Sequence, residues 1–181
     1  MIDPELEQWL ENRPNMEKDN PSGLSRRASR PTLERMKLLC KYLGDPQLGI
    51  DAIHITGTNG KTSTCRITES LMSIKGFSTG LLSSPHLGKL NERVSINSEP
   101  ISDFELENSL NVIKKLESEI DVISADSPSY FEIMVAAGFF ICLSMLIQTQ
   151  MVKDRIQKFY GVSERVELWK ANIDFFQNRP L

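Results

Sequence analysis

Residues 53–64 hold the most chemically pointed run in the chain: Ile53-His54-Ile55-Thr56-Gly57-Thr58-Asn59-Gly60-Lys61-Thr62-Ser63-Thr64. An apolar, β-branched stretch leads into a glycine-rich turn, then Lys-Thr, then a helix-permissive segment. That order predicts a strand, a phosphate-binding loop and a helix. Gly57 and Gly60 accept backbone angles that let amide N–H groups converge on an anion. The start of the following helix adds unpaired N–H groups and the positive end of its dipole. Lys61 supplies a mobile positive charge for the outer phosphates, and the Thr62 hydroxyl is placed to reach a magnesium ion. The loop is shorter than the usual pattern, which asks for glycine at position 55. Ile55 stands there, and the first glycine is Gly57. The alternative is a Gly-Asn turn before an ordinary helix.

These residues need elements to hold them, and the flanking sequence supplies an alternation of helices and short strands. Glu5 to Glu11 reads as a short helix. Asn12 to Arg30 is rich in Asn, Pro, Ser and Arg and reads as a loop; its basic cluster Arg26, Arg27, Arg30 is either a solvated loop or a contact for an anionic substrate. Pro31 suits the first turn of a helix running to Gly44. The helix after the loop spans about Lys61 to Lys75 and stops at Gly76, a natural left-handed cap. Phe77 to Leu82 reads as a second buried strand, and His54 as a packed residue of the first. A helical crossover between two apolar runs favours a right-handed βαβ unit, so residues 53–55 and 80–82 are expected to pair in parallel. Ligands of such sheets sit beyond the carboxyl ends of the strands, which places Ser83-Ser84-Pro85-His86-Leu87 near the loop. Arg93 to Asn97 reads as a short strand or arm. Ser102 and Glu105 form a capping box, with Ile101 stapled to Leu106, at the start of a helix reaching Glu119. Ser129 to Glu132 opens a strongly apolar helix, in which Glu132 completes a second capping box with Ser129.

Composition narrows the function classes. A net charge of -3 gives no bulk electrostatic case for nucleic acid. Cys40, Cys65 and Cys142 are odd in number and far apart, so no zinc spacing or disulfide framework follows, and a reducing cytoplasm is expected. Phe131 to Ile147 is apolar but short for a membrane span and carries Glu132 near its start; a buried helix on a sheet is expected.

Four blocks in order resemble the folylpolyglutamate synthase / dihydrofolate synthase family of the Mur ligase superfamily. They are Pro31-Thr32-Leu33-Glu34-Arg35-Met36, the loop His54 to Ser63, Ser83-Ser84-Pro85-His86-Leu87 with Asn91-Glu92-Arg93-Val94, and Ser129-Tyr130-Phe131-Glu132. The loop alone would indicate only the superfamily; the Ser-Ser-Pro-His-Leu and Asn-Glu-Arg blocks point to the folate branch.

The resemblance implies a reaction. MgATP phosphorylates the carboxylate of dihydropteroate or a reduced folate, and the glutamate amine attacks the acyl phosphate to form an amide. It also implies roles. Gly57, Thr58, Asn59, Gly60, Lys61, Thr62 and Ser63 are similar to the ATP cradle, with Lys61 as the catalytic charge. Ser84 and Thr62 are expected at magnesium, Ser84 with either that role or that of a turn residue before Pro85. Ser129, Tyr130, Phe131 and Glu132 match a block bordering the pterin pocket, with capping and core packing as the alternative. Arg30 is the remaining candidate for an anionic substrate.

The resemblance covers residues 5–147. It implies an α/β fold with a parallel, phosphate-loop-bearing sheet flanked by helices. Relative to the family, the sheet is expected to be incomplete. A strand carrying a metal-binding glutamate, a following histidine and the C-terminal glutamate-binding domain have no counterpart, and residues 148–181 match nothing. A helical tail is expected there, with Ser163 as a cap. Three readings stand: a truncated ligase inactive as this chain alone, a non-catalytic nucleotide- or folate-binding module, and a degenerate product. The uncovered sheet edge is expected to invite a protein partner or self-association.

Overall fold

A computed structural model describes residues 2–15, 32–119 and 127–147. Arg30, its basic neighbours and the segment 148–181 lie outside the described residues. The elements in chain order are α1 (Pro4–Glu11), α2 (Leu33–Tyr42), a 3-10 turn (Pro46–Gly49), α3 (Lys61–Ile74) and β1 (Gly80–Leu82). A second 3-10 turn (Leu90–Arg93), β2 (Val94–Ile96), β3 (Glu99–Pro100), α4 (Asp103–Glu119) and α5 (Tyr130–Ile147) follow.

The core is built around α5. Its sequence is apolar on every side, so it can be stable only where neighbours surround it. Ile133, Ala136, Ala137, Ile141 and Leu143 are all buried, and α4, α2, β1 and the turn at 46–49 pack against them. Leu106, Leu110 and Ile113 supply the facing surface of α4 at helical spacing. Leu6 and Leu10 of α1 and Leu39 and Leu43 at the end of α2 complete the cluster. Among the described residues, no helix is long and apolar enough to cross a membrane.

Caps set the helix starts. Thr32 accepts from the Arg35 N–H at 3.2 Å and opens α2. Ser102 accepts from the Glu105 N–H at 3.2 Å while the Glu105 carboxylate takes the Ser102 N–H at 2.8 Å. Ile101 and Leu106 beside that box are both buried in the core, as the staple requires. At the other end of α3, Gly76 has φ 87°, the left-handed stop expected of it.

The sheet departs from expectation. The fold is an α/β mixture, but the described strands form a three-stranded antiparallel sheet in the order β1-β2-β3. Leu82 pairs with Val94 and Gly80 with Ile96. The parallel pairing of 53–55 with 80–82 is absent among the described residues, and 51–57 form no ladder. β1 and β2 are joined by one local loop, as an antiparallel pair allows, whereas a parallel pair needs a crossover connection. The expected strand at 77–82 is correspondingly shortened to Gly80–Leu82.

Burial departs in the same place. Ile53 is 68% exposed, Phe77 57%, and His54 is exposed rather than packed. On α3, Ile67, Leu71 and Ile74 are also open to solvent and share one helix face. The apolar residues are where the pattern put them, but no described element covers that face.

Two glycines let the sheet meet α5 closely. A Cβ on Gly138 would collide with the Leu82 side chain, and one on Gly80 with Cys142 Sγ. Each element therefore receives a side chain of the other. Burial pushes the Cys142 thiol up to about 12 and the Cys40 thiol to about 11. Both stay protonated at neutral pH, as small core residues. Gly138→Ala is expected to overpack this contact and lower stability by about 1–3 kcal/mol. Urea denaturation checks it; an unchanged midpoint would show that Leu82 can move aside freely.

Candidate functional site

Residues 57–63 lie together on the surface. Gly60 caps α3 with φ 74°, a left-handed conformation in which a Cβ would touch nothing within 4 Å. Glycine is needed there for the backbone angle, not for space. From Lys61 the chain is helical, so the first N–H groups of α3 lack intrahelical acceptors and point out beside the loop. Thr64 closes the first turn, its hydroxyl and its N–H both donating to the Gly60 carbonyl, at 2.8 and 2.9 Å. Lys61 Nζ folds back and donates to the carbonyls of Gly57 at 2.6 Å and Thr58 at 3.2 Å. Gly57, Thr58, Asn59, Gly60, Lys61, Thr62 and Ser63 are all exposed.

The Ser84 loop leaves the end of β1 and returns to β2. Its base is closed by the Ser83 N–H donating to the Arg93 carbonyl at 2.8 Å. Within it, the Glu92 carboxylate accepts three successive backbone N–H groups: Leu87 at 3.0 Å, Gly88 at 3.2 Å and Lys89 at 3.0 Å. Those donors hold the Glu92 carboxyl below the usual carboxylate range, with a smaller contribution from His86. Arg93 Nε donates to His86 Nδ1 at 2.8 Å, so that ring nitrogen serves as an acceptor. Ser84 itself is exposed, after which the chain passes through a cis bond to Pro85.

The same residues tie the loop to its surroundings. Arg66, on α3, donates to the Ser95 hydroxyl at 3.3 Å and to the Glu92 carbonyl at 3.5 Å. Glu69, one turn on and buried, accepts from Ser95 Oγ at 2.8 Å and from the Ser98 N–H at 3.1 Å. Arg93 is buried, with its guanidinium 5.0 Å from the centre of the Tyr130 ring. A desolvated cation over an aromatic face contributes roughly 2 kcal/mol in such settings. Three of the four blocks are thus joined physically: 83–94 meets Tyr130, and the 129–132 block meets 32–35.

That last junction runs through Glu132. Its carboxylate accepts from the Thr32 N–H at 2.7 Å, from Arg35 Nε at 3.2 Å, and from the Ser129 N–H and hydroxyl at 2.8 and 2.6 Å. It is 1% exposed. A carboxylate so occupied fixes the starts of α2 and α5 and has no acceptor left to offer a ligand. Ser129 is buried in the same box and Tyr130 beneath Arg93. Of the four residues expected at a pterin pocket, only Phe131 is open to solvent, at 44%. For Ser129 and Glu132 the capping alternative describes the geometry.

Magnesium can be tested against the donor set. Thr62 and Ser84 offer neutral hydroxyls, and no cluster of three His, Cys, Asp or Glu side chains suited to a metal exists among the described residues. Magnesium retains waters and accepts phosphate oxygens readily. Neutral hydroxyls of this kind suit an ion that arrives on a phosphate chain; they do not form a protein cage.

The motif Asn91-Glu92-Arg93 is visible in the sequence, but the roles of Glu92 and Arg93 emerge only from the fold. A charged pair directly before a strand was the available signal. Asn91 also contributes, its side-chain amide donating to the Ile101 carbonyl at 2.9 Å.

No protein-family model matches the chain. A dihydrofolate synthase/folylpolyglutamate synthase of Bacillus subtilis is 40% identical over 110 residues, covering 61% of this chain and 26% of that protein. The crystal structure of a folylpolyglutamate synthase from Thermotoga maritima matches with a TM-score of 0.66 at 29% identity, covering 78% of this chain and 30% of that one. The folylpolyglutamate synthase of Mycobacterium tuberculosis complexed with ADP matches with a TM-score of 0.65 at 34% identity, covering 78% of this chain and 29% of that one. This chain therefore spans about a quarter to a third of the length of these relatives.

The Glu92 clamp has a defined pH window. A carboxyl whose folded pKa is depressed adds stability above its unfolded value and loses it as pH falls through the folded one. Exchange protection of the Leu87, Gly88 and Lys89 amides, corrected for intrinsic rates, is expected to hold from neutrality down to the ordinary value of 4.5 and to fall only below it. Loss of protection well above that value, followed by NMR, would contradict the assignment.

Proposed function

We propose that this chain, which is similar to folylpolyglutamate synthases in sequence and in fold, binds MgATP on residues 57–63 and represents the nucleotide-handling part of a glutamate ligase. The observation that carries this reading is the geometry at the start of α3. Gly60 holds the left-handed turn, α3 begins immediately after it, and Lys61 reaches back over the loop. This is an anion-binding corner with a cation at hand.

The chemistry asked of it is phosphoryl transfer to a carboxylate. A free carboxylate is a poor acyl donor because its leaving group would be oxide, and an acyl phosphate removes that obstacle. Lys61 would exchange its loop carbonyls for β- and γ-phosphate oxygens and neutralise charge as it shifts between them. Thr62 and Ser84 would hold the nucleotide's magnesium, which when bound supplies further charge neutralisation. The N–H groups at the start of α3 would orient the phosphates. The carboxylate substrate, dihydropteroate or a reduced folate, would approach from the Ser84 loop, with Phe131 as the accessible aromatic surface.

A Lys61→Ala variant is expected to weaken MgATP binding by about 2 kcal/mol or more, roughly thirtyfold, through loss of a charge-assisted contact. Calorimetry checks it, and equal affinities would remove Lys61 from the role. The 181-residue chain by itself is proposed not to ligate glutamate at a useful rate, because Thr62 and Ser84, the residues assigned to magnesium, carry only neutral hydroxyls. Glutamate-dependent ADP release with dihydropteroate or a reduced folate, against Lys61→Ala as control, tests this. Robust Lys61-dependent product would overturn it.

A second reading is a non-catalytic nucleotide-binding module that docks elsewhere. It is favoured by one observation, the uncovered apolar face of Ile67, Leu71 and Ile74.

A further inference from the structure

We propose that Glu92 and His86–Arg93 form a positioning clamp that sets Ser84 against the phosphate corner of α3, an inference that rests on the MgATP reading above. Ser84 sits in a loop between β1 and β2, and an exposed loop of that kind does not by itself present a hydroxyl at one fixed place. Here the loop is fixed from inside. Glu92 gathers the N–H groups of Leu87, Gly88 and Lys89, which are the turn the chain must make after Ser84-Pro85-His86. Arg93 takes His86, two residues from Ser84, and anchors it to a buried guanidinium stacked on Tyr130.

The clamp is also registered to the nucleotide helix. Arg66 donates to the Glu92 carbonyl at 3.5 Å and to the Ser95 hydroxyl at 3.3 Å. Arg66 lies five residues beyond Lys61 on α3, about 7.5 Å along the axis at the standard helical rise. The side chain that touches the clamp and the side chain assigned to phosphate therefore ride on one rigid element. A shift of the loop relative to that element would move Ser84 relative to any metal held on the phosphates. In this arrangement Glu92 and Arg93 act through Ser84, as positioning residues.

The test uses the full 181-residue chain and measures ATP affinity by calorimetry, once with magnesium and once with metal-free ATP in a chelator. The ratio of the two is the magnesium increment. Ser84→Ala is expected to reduce that increment and leave metal-free affinity within twofold. Glu92→Gln is expected to do the same, lowering the increment by roughly five- to tenfold, the size of a lost polar contact. Combining the two is expected to add nothing, because residues acting through one contact are not additive. His86 provides an independent arm: His86→Asn keeps an acceptor near the Nδ1 position and retains the increment, whereas His86→Ala loses it. Circular dichroism of each variant confirms that it folds.

Additive losses in Glu92→Gln with Ser84→Ala would overturn the clamp as a positioning device. So would an unchanged increment in Glu92→Gln, or one equally reduced in both His86 variants. An unchanged increment in Ser84→Ala would also overturn it, since nothing would be left to position. If wild type binds no ATP, or Lys61→Ala binds as well as wild type, the MgATP reading itself fails, a result distinct from any of these.

Discussion

One constraint orders this molecule: α5 is apolar on every side and must be enclosed. The described core is arranged by what encloses it. α4 lies along one flank, α2 and the turn at 46–49 along another, and the hairpin of β1 and β2 against the stretch containing Gly138 and Cys142. The polar start of the helix is where the cost of enclosure would be felt. There the Glu132 carboxylate, buried as a charge, is supplied with an arginine and backbone donors. A buried carboxylate lacking such partners would be strongly destabilising. The blocks around 32–35 and 129–132 thus belong to one solution of one electrostatic problem.

The same helix start governs the Ser84 loop. Tyr130 turns its ring face to Arg93, and Arg93 in turn holds His86 and, through its carbonyl, Ser83. Rigidity is therefore passed from the packed core outward to a surface loop by a buried cation. The opposite end of the chain follows a similar device. Glu117 accepts from Trp9, Arg13 and Ser127, joining α1, α4 and the approach to α5. Core hydrophobics give these junctions their stability, and buried charges fix their geometry.

Local chemistry was legible from the sequence. Both capping boxes formed, because a Ser and a Glu three residues apart settle their hydrogen bonds within one turn. Gly60 and Gly76 took their left-handed angles for the same reason: the demand is made by adjacent residues. What crosses the chain was less legible. β-branched residues at 53–55 and the run 77–82 promised two parallel strands, but strand pairing depends on partners far away, and Leu82 found Val94 through a local loop. The exposure of Ile53 and His54 was hidden likewise, since apolar character tells what a residue prefers, not what covers it. Glu92 and Arg93 stood in a motif without a role because their partners, Leu87 to Lys89 and Tyr130, are set by the fold.

The resting state of Lys61 bears on selectivity. Its ammonium already has two carbonyl partners, on Gly57 and Thr58. A ligand does not meet a bare cation at this corner; it must replace acceptors that cost the protein nothing to keep. The gain is a difference between two sets of contacts, as it is for any hydrogen bond exchanged in water. A weakly basic or singly charged anion gains little from that exchange, whereas a dense run of phosphate oxygens offers more negative charge than two amide carbonyls. The loop's own backbone thus competes with any anion for the Lys61 ammonium.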